Sequence, residues 1–296
     1  MKKALCLVVV FVLSLSGCSL LGPAGPITLV DDFDREISLD EPAQRVISLV
    51  PAATEIMFAL GAGERVVGAS EYCNYPAAAS DIPRVGGFDG PNLEAIVALE
   101  PDLVFAASLH KDAVEGLEGL GIAVLALDPM TFDEIYANIE LIAEAIGEVK
   151  AGKDLIADMK SRLEAVNQAI GQLQEEERPL VFYESWYPGI WTAGEDTFIN
   201  EIIDFSGGKN LAWGVSRWTE MQEEDVLVRN PDVIIHGYLD LSIVEPFAQR
   251  NGWDVVTAVI ENQVFFINPD ILSRTGPRVV DAVEELARLI HPDKFD

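Results

Sequence analysis

Cysteine is scarce in this chain, and its scarcity excludes several kinds of chemistry. Only three cysteines occur among 296 residues. Cys6 lies in the first apolar segment and Cys18 closes that segment, so Cys73 is the one thiol left in the body of the chain. One thiol cannot form an internal disulfide, and the EYCNYP surroundings supply no cation that would favour the thiolate. We therefore expect Cys73 to be a buried small side chain rather than a reactive group.

Histidine is too sparse and too scattered to predict a metal site. His110, His236 and His291 belong to no paired pattern such as HxH or HExxH. We expect each of them to be solvent-exposed or to cap a helix or turn, while a contact of His110 or His236 with a ligand stays open. GxSxG and phosphate-cradling glycine motifs are absent as well. No enzyme class, metal site or cofactor is therefore predicted.

Basic residues are few compared with acidic ones. Removing Lys2 and Lys3 of the first segment from the 20 basic residues leaves 18 against 49 acidic residues, a net charge of −31. Such a charge disfavours nucleic acids and anionic membrane surfaces as partners. It suits a protein that meets a basic partner or a neutral ligand.

Residues 1–17 have the features of an export signal peptide. Two lysines precede an apolar run that is too short to span a membrane as a helix. The run closes on LSGC, which resembles a bacterial lipobox, and this resemblance implies cleavage before Cys18 and lipid attachment to its sulfur. Residues 18–28 would then tether the protein to the extracytoplasmic face of a bacterial membrane. An ordinary secretory signal that happens to contain a cysteine is the alternative.

Strand and helix patterns alternate along the rest of the chain. Apolar runs such as RVISLV and DLVFAA are typical of buried strands, and NLEAIVALEP has helical spacing with Asn92 as its N-cap. Thr131 and Glu134 have the spacing of a capping box before another helix. This alternation predicts an α/β fold with mainly parallel sheets flanked by helices.

One long helix is predicted in the middle of the chain, at residues 148–177. Proline is absent there, and apolar residues recur at helical spacing. The helix would join two α/β lobes, residues 29–147 and 178–296, with a ligand cleft between them.

An internal repeat supports two related lobes. Residues 92–107 and 222–237 align without a gap at an offset of 130. Both contain a glutamate in third position, a helix pattern, a Pro-Asp pair and a strand pattern. Pro-Asp is common wherever a helix stops before a turn, but that alone does not explain the matching glutamates, Glu94 and Glu224.

Large aromatic residues stand in loops rather than on periodic faces. They are Tyr72, Tyr75, Phe88, Tyr183, Trp186, Tyr187, Trp191, Trp213 and Trp218. In doubly wound sheets, ligands bind where the loops after the strands converge. Any one of these rings could be buried beneath its own loop, but the group predicts an aromatic-lined cleft between the lobes.

The segments RVISLVPAATEIMFALGAGERVVGASEYCNYP and RVGGFDGPNLEAIVALEPDLVFA resemble the substrate-binding proteins of cobalamin and iron-siderophore ABC importers. The resemblance covers nearly the whole mature chain, and SEYCNYP and GGF…NLE are most similar to the cobalamin-binding branch. It implies a monomer whose long helix is a stiff hinge. It also implies that the protein captures a corrinoid, as cargo rather than cofactor, and delivers it to a permease dimer.

The resemblance also implies roles for individual residues. The implied ligand-binding positions are Pro51, Ala53, Tyr72, Phe88, Trp186, Trp218, Asp270, Ser273 and Arg274. The aromatic members would pack on the corrin, and the last three would reach its polar amides. Glu94 and Glu224 match paired acids that engage arginines on the two permease subunits. Acids are also favoured in the first turn of any helix, and the two explanations are compatible.

Two ligand classes are compatible with the sequence. A neutral corrin suits aromatic walls and a few hydrogen-bonding groups. An anionic ferric siderophore or haem, bound by a protein of the same family, would call for basic residues, for which Arg217, Arg274 and Arg278 are the candidates. A surface-anchored hydrolase or chelatase is the alternative from another class, but no catalytic dyad is evident.

Overall fold

The computed structural model describes residues 25–87, 90–238 and 246–295. The predicted signal peptide, Cys18 and Phe88 lie outside these residues. From the start to the middle of the chain the elements are β1 (Ile27–Val30), β2 (Glu36–Leu39), β3 (Val46–Ser48), α1 (Pro51–Ala59), β4 (Val66–Ala69), β5 (Gly86–Gly87), β6 (Gly90–Pro91), α2 (Leu93–Ala98), β7 (Leu103–Ala106), α3 (Lys111–Gly119), β8 (Ala123–Ala126), α4 (Phe132–Ala145) and α5 (Val149–Ile170). After α5 they are β9 (Leu180–Glu184), β10 (Ile190–Ala193), α6 (Phe198–Phe205), β11 (Lys209–Asn210), β12 (Trp218–Met221), α7 (Glu223–Arg229), β13 (Val233–His236), α8 (Thr257–Ile260), β14 (Val264–Phe266), α9 (Pro269–Leu272) and α10 (Val279–Ile290).

Two four-stranded sheets form the framework of the described chain. The first has the order β4-β3-β7-β8 and belongs to the first lobe, β1 to α4; the second has the order β11-β9-β13-β14 and belongs to the second lobe, β9 to α10. The strands of both sheets pair in parallel. Strands β3, β7 and β13 are buried along their whole length, as short apolar runs in parallel sheets are expected to be. The predicted α/β fold is confirmed.

The aligned segments 92–107 and 222–237 form the same unit in both lobes. At the offset of 130 residues, α2 and β7 correspond to α7 and β13. Asp102 Oδ2 accepts hydrogen bonds of 2.8 Å from two backbone amides just before β3. Asp232 Oδ2 accepts one of 2.7 Å from the first amide of β9. Each aspartate thus ties the start of its own strand to the neighbouring strand, which explains why the acid of the Pro-Asp pair recurs.

The helix starts predicted from capping residues are confirmed. The Asn92 side chain accepts a 3.1 Å hydrogen bond from the backbone amide of Ala95. Thr131 Oγ1 accepts from the Glu134 amide at 3.3 Å, and the Glu134 carboxylate accepts in return from the Thr131 amide at 3.2 Å. After α1, Gly61 adopts a φ of 76°, the left-handed conformation typical of a helix stop.

The connecting helix α5 is shorter than the predicted segment 148–177. It has 22 residues and spans roughly 33 Å at 1.5 Å per residue. It stops because Gly171 adopts a φ of 70°, and residues 175–177 form a separate 3₁₀ turn. Among the described residues, none of the helices, α5 included, combines the length and hydropathy that a membrane span requires.

The hydrophobic core is continuous from one lobe to the other through α5. A single cluster includes Phe105 of the first sheet, Met159 of α5 and Ile235 of the second sheet. Two smaller clusters cover the opposite faces of the two sheets. Arg162 of α5 also forms ion pairs of 2.6 and 2.9 Å with two carboxylates of α10. The helix is therefore part of a core that both lobes share, and not only a link between them.

Candidate ligand cleft

The two lobes touch where loops follow the carboxyl ends of their strands. Gly276, between α9 and α10, lies so close to α1 that an added Cβ would stand 3.4 Å from the Ala52 Cα. Pro51 opens α1 and is partly exposed, whereas Ala53 is fully buried in the core, behind any surface that a ligand could touch. In α/β folds this edge of the sheet is where ligands bind.

Glu55 of α1 is the centre of the contact between the lobes. It is only 3% exposed. Arg274 Nη1 donates to its Oε1 at 2.9 Å, and Arg278 donates to Oε2 from Nε at 2.9 Å and to Oε1 from Nη2 at 2.8 Å. Both arginines belong to the second lobe. Glu55 is not among the residues predicted from the sequence, although it ends the same PAATE segment that contains Pro51 and Ala53.

Further hydrogen bonds extend this contact to the loop after β4. Arg274 donates to Asn74 Oδ1 at 2.8 Å, to the Tyr72 carbonyl at 3.2 Å and to Asp270 Oδ1 at 2.7 Å. Asn74 Nδ2 donates to Asp270 Oδ2 at 3.0 Å. The structure thus brings three of the predicted ligand-binding residues together, and it engages their polar groups across the lobes. We call the following set the interlobe network: Glu55, Tyr72, Asn74, Asp270, Arg274 and Arg278.

Two tyrosines stand beside the interlobe network. Tyr72 and Tyr75 are 38% and 45% exposed. The Arg278 guanidinium lies 3.9 Å from the centre of the Tyr75 ring, a cation–π contact. Ser273, another predicted position, is exposed and donates its hydroxyl to the Pro269 carbonyl at 2.6 Å. This part of the contact between the lobes combines aromatic rings with hydrogen-bonding groups.

The two predicted ligand-binding tryptophans, Trp186 and Trp218, lie at a ribbon of the second lobe formed by β10 and β12. Trp186 is 55% exposed and forms a bridge to Trp191, which is 41% exposed. Trp218 is partly buried, with its ring centre 6.1 Å from that of Tyr183 and 6.2 Å from that of Phe198. Trp186 therefore offers a ring to solvent, whereas Trp218 packs mainly on the core.

A buried ion pair lies at the carboxyl end of the second sheet. Glu184 is 0% exposed and Arg250 is 3% exposed, and Arg250 Nη2 lies 2.8 Å from Glu184 Oε1. The Tyr238 hydroxyl donates to the same carboxylate. The Arg250 guanidinium lies 3.8 Å from the centre of the Tyr187 ring and 3.9 Å from that of Phe247. Burial raises the pKa of Glu184, although Arg250 opposes the rise.

His236 contradicts the expectation of a solvent-exposed or capping histidine. It is 9% exposed and stacks on Tyr238 with the ring centres 4.8 Å apart. Its buried Nδ1 has no hydrogen-bond partner among the described residues. Burial, followed by the charge of Arg250, lowers the pKa of His236 to about 4. The imidazole is therefore neutral at pH 7.

The first lobe has no such charged group at the same place in its sheet. In the parallel register of the second sheet, Glu184 of β9 lies opposite His236 of β13. This row is three residues further along the strands than the row of Val181 and Val233. The corresponding row of the first sheet holds Leu49 and Ala106, which are both buried. The fold can thus form this row from apolar side chains alone, and the buried charges belong to the second lobe specifically.

The two glutamates predicted to dock a permease occupy equivalent positions. Glu94 lies in the first turn of α2 and Glu224 in the first turn of α7. Both are exposed. Neither carboxylate has a hydrogen bond or ion pair with another described residue. They are free to meet a partner's cations.

The remaining predicted features can be placed as well. Cys73 is 1% exposed, with an Sγ–Oγ contact of 3.2 Å to a neighbouring serine, so its prediction as a buried side chain is confirmed. His110 Nδ1 accepts from the Ala107 amide at 3.0 Å, a capping role. His291 caps the end of α10 but is only 6% exposed. Within the described residues, no cluster of His, Cys, Asp and Glu could hold a metal ion.

Comparison with known proteins identifies the family. Residues 46–271 match the model of a periplasmic binding protein family. The chain is 36% identical over 276 residues to YvrC, an uncharacterized ABC transporter substrate-binding lipoprotein of Bacillus subtilis, with 91% of this chain and 87% of YvrC covered. It also resembles the crystal structure of the periplasmic vitamin B12 binding protein BtuF of Vibrio cholerae, with a TM-score of 0.71, 29% identity, and coverage of 86% of this chain and 99% of BtuF.

A third similar protein binds a different ligand. The periplasmic heme-binding protein BhuT, in complex with two hemes, superimposes with a TM-score of 0.75 at 26% identity and covers 86% of this chain and 100% of BhuT. The chain belongs to the periplasmic binding protein family. It is an extracytoplasmic solute-binding protein and not an enzyme, and the ligands of such proteins are cargo rather than cofactors.

Proposed function

We propose that this protein captures a corrinoid such as cobalamin and delivers it to an ABC importer. The observation that carries the proposal is the composition of the cleft. Exposed aromatic rings stand there beside two arginines that carboxylates of the interlobe network already pair. A corrin is a large neutral disc fringed with amides, so it requires flat contacts and hydrogen bonds but no net charge. The similarity to BtuF supports the same ligand class.

Each predicted site residue has a distinct part in this proposal. Tyr72 and Trp186 would pack on the faces of the disc, and Trp218 would support the second-lobe wall. Asp270 and Arg274 would exchange part of their mutual hydrogen bonding for the corrin amides. The remaining proposed positions are Pro51, Ser273 and Phe88, of which Phe88 lies outside the described residues; Ala53 would act from behind the surface.

Titration of the purified protein tests the ligand. Cyanocobalamin, a ferric hydroxamate and haemin are compared by calorimetry and by quenching of tryptophan fluorescence. We expect binding of cyanocobalamin, and we expect Tyr72→Ala to weaken it about tenfold through loss of one aromatic contact. Trp213→Phe is the matched control, because Trp213 is 65% exposed and belongs to none of the proposed positions. Binding of the iron ligands alone would refute the corrinoid.

A haem or ferric siderophore is the second candidate. It is favoured by Arg274 and Arg278, since anionic ligands of this kind require cations, and by the likeness to BhuT. In this case Arg274→Gln would abolish binding of haemin or the siderophore, whereas with a corrin it would only weaken binding.

We further propose that Glu94 and Glu224 orient the protein on a permease dimer. Both are exposed, one on each lobe, and neither is paired with another residue of the described chain. Exposed ion pairs are individually weak, so the two acids would set orientation more than affinity. Glu94→Lys with Glu224→Lys should block uptake by cells and leave ligand binding intact. The control is Glu140→Lys with Glu176→Lys, which reverses two other exposed acids; a loss of ligand binding in the first pair would place those acids in the cleft or the fold instead.

We also propose that a lipid on Cys18 anchors the protein, which acts as a monomer. The support is LSGC in the sequence and the similarity to YvrC, which is named a lipoprotein. Cys18→Ala should move the protein from the membrane fraction to the soluble fraction and remove the mass of the lipid. Retention in the membrane would refute lipid attachment at this residue.

A further inference from the structure

The ionisable groups of the interlobe network balance one another. Arg274 and Arg278 are the cations, and Glu55 and Asp270 are the anions. The side chains of the two arginines are 12% and 16% exposed, and that of Glu55 is 2% exposed. These charges are thus largely removed from water, and solvent and salt screen them only weakly. A ligand in the cleft would meet a set whose net charge is zero.

Glu55 is the member that decides this balance. It binds both arginines and uses both carboxylate oxygens, whereas Asp270 pairs with Arg274 on its own helix end. Glu55 also comes from the lobe opposite to the arginines, so it reaches them only when the lobes are in contact. Without it, two guanidinium groups would remain against one carboxylate. The cleft would then carry one positive charge, in a place suited to bidentate binding of a carboxylate.

We propose that Glu55 is a specificity-determining residue, which neutralises the arginines of the cleft and so excludes anionic ligands. The inference rests on the proposed function and deepens it. A neutral corrin amide can take a hydrogen bond from Arg274 without a compensating charge. A ligand carboxylate or catecholate would add an anion to a partly buried set that has no spare cation, and its desolvation would not be offset. Selectivity of this kind arises from rejection of the wrong ligand as much as from attraction of the right one.

A pair of ligands that differ by one charge gives the sharpest test. Cyanocobalamin and its monocarboxylic acid derivative have nearly the same size and shape, but the derivative carries a carboxylate in place of one amide. Dissociation constants of both are measured by calorimetry on the full chain, and their ratio is compared between variants. We expect the unmodified protein to bind the derivative at least tenfold more weakly. Glu55→Gln, which keeps the size of the side chain, should reduce that ratio at least tenfold, the effect of one charge-assisted hydrogen bond.

For a second variant, we expect the ratio of the two dissociation constants to change in the opposite direction. Arg278→Gln removes a cation and leaves the anions, so it should increase discrimination against the derivative. It also decides the question if Glu55→Gln fails to fold. The matched control is Asp31→Asn, because Asp31 is likewise buried and paired with an arginine, Arg35 at 2.5 Å, but lies outside the cleft. The control should leave the ratio unchanged.

Each outcome has one meaning. If both ligands weaken equally in Glu55→Gln and in Arg278→Gln, the network only holds the lobes together and the inference is wrong. If the ratio shifts in opposite directions in the two variants, the inference holds. If the unmodified protein binds neither corrinoid, the proposed function fails, and the inference falls with it.

Discussion

The buried pair of Glu184 and Arg250 leads to a prediction about stability whose magnitude follows from the geometry. The side chains are 0% and 1% exposed, and two contacts of 2.8 and 2.9 Å join them. Removal of one partner from such a pair typically costs about 3–5 kcal/mol, because the other charge stays buried without compensation. Replacement of both by apolar side chains of similar volume is often neutral or stabilising. The first lobe already has Leu49 at the equivalent of Glu184.

The perturbation is therefore a double-mutant cycle of Glu184→Leu and Arg250→Met. Met is an unbranched apolar side chain of similar length, which can contact the rings of Tyr187 and Phe247 where the Arg250 guanidinium lies. We expect each single variant to lose about 3–5 kcal/mol and the double variant to recover most of it, which gives a coupling above about 3 kcal/mol. Urea unfolding monitored by circular dichroism and by tryptophan fluorescence measures all four proteins.

The two single variants should also differ in their response to pH. Burial raises the pKa of Glu184 even with Arg250 present. A carboxyl whose pKa is higher in the folded than in the unfolded protein favours folding at low pH and loses that contribution as pH rises. In Arg250→Met the carboxyl can take up a proton, so the deficit should shrink between pH 8 and pH 5. In Glu184→Leu the guanidinium cannot lose its charge, so the deficit should not shrink as pH falls. Single losses below about 1 kcal/mol, or a double variant as unstable as the sum of both, would refute this reasoning.

Other predictions concern His236, the capping box and the repeated aspartates. Because the pKa of His236 is lowered to about 4, the neutral form stabilises the fold above pH 6.5 and this contribution is lost as pH falls towards 4; His236→Gln should flatten the fall in melting temperature across that range. An unchanged pH profile would contradict the lowered pKa. Thr131→Ala should lower the free energy of unfolding by about 1 kcal/mol, as measured in urea, and Thr131→Ser should restore it. Asp102→Ala and Asp232→Ala should cost similar amounts, about 1–3 kcal/mol each, since both leave strand-start amides without an acceptor; clearly unequal losses would show that the two lobes do not use the repeated residue alike.

Local signals in the sequence were sufficient for most of the fold. Apolar runs predicted the parallel strands, and Asn92 and Thr131 marked helix starts, because these signals depend on neighbours within a few residues. The end of α5 was predicted too late, at residue 177. A helical pattern continued past Gly171, and only the backbone conformation there shows that the helix stops.

The site could be predicted only in part, for a different physical reason. Family resemblance pointed to Asp270 and Arg274, and the structure places them together. Pairing between the lobes is invisible in a one-dimensional pattern, because Glu55 lies 219 residues from Arg274. The buried position of His236 was missed for the same reason. A histidine in a strand can face solvent or an aromatic cluster, and the choice depends on residues that follow later in the chain.

The shared core through α5 has a consequence for how cargo is released. Wide separation of the lobes would expose apolar side chains of both sheets together with those of α5, and about 25 cal/mol would be lost for each Å² of apolar surface brought into water. Thermal motion then produces only small displacements at the contact between the lobes and does not separate the lobes fully. Full separation of the lobes would therefore need free energy from binding to another protein. The same continuity means that a cut within α5 would leave two fragments with an unfinished interior, rather than two independent domains.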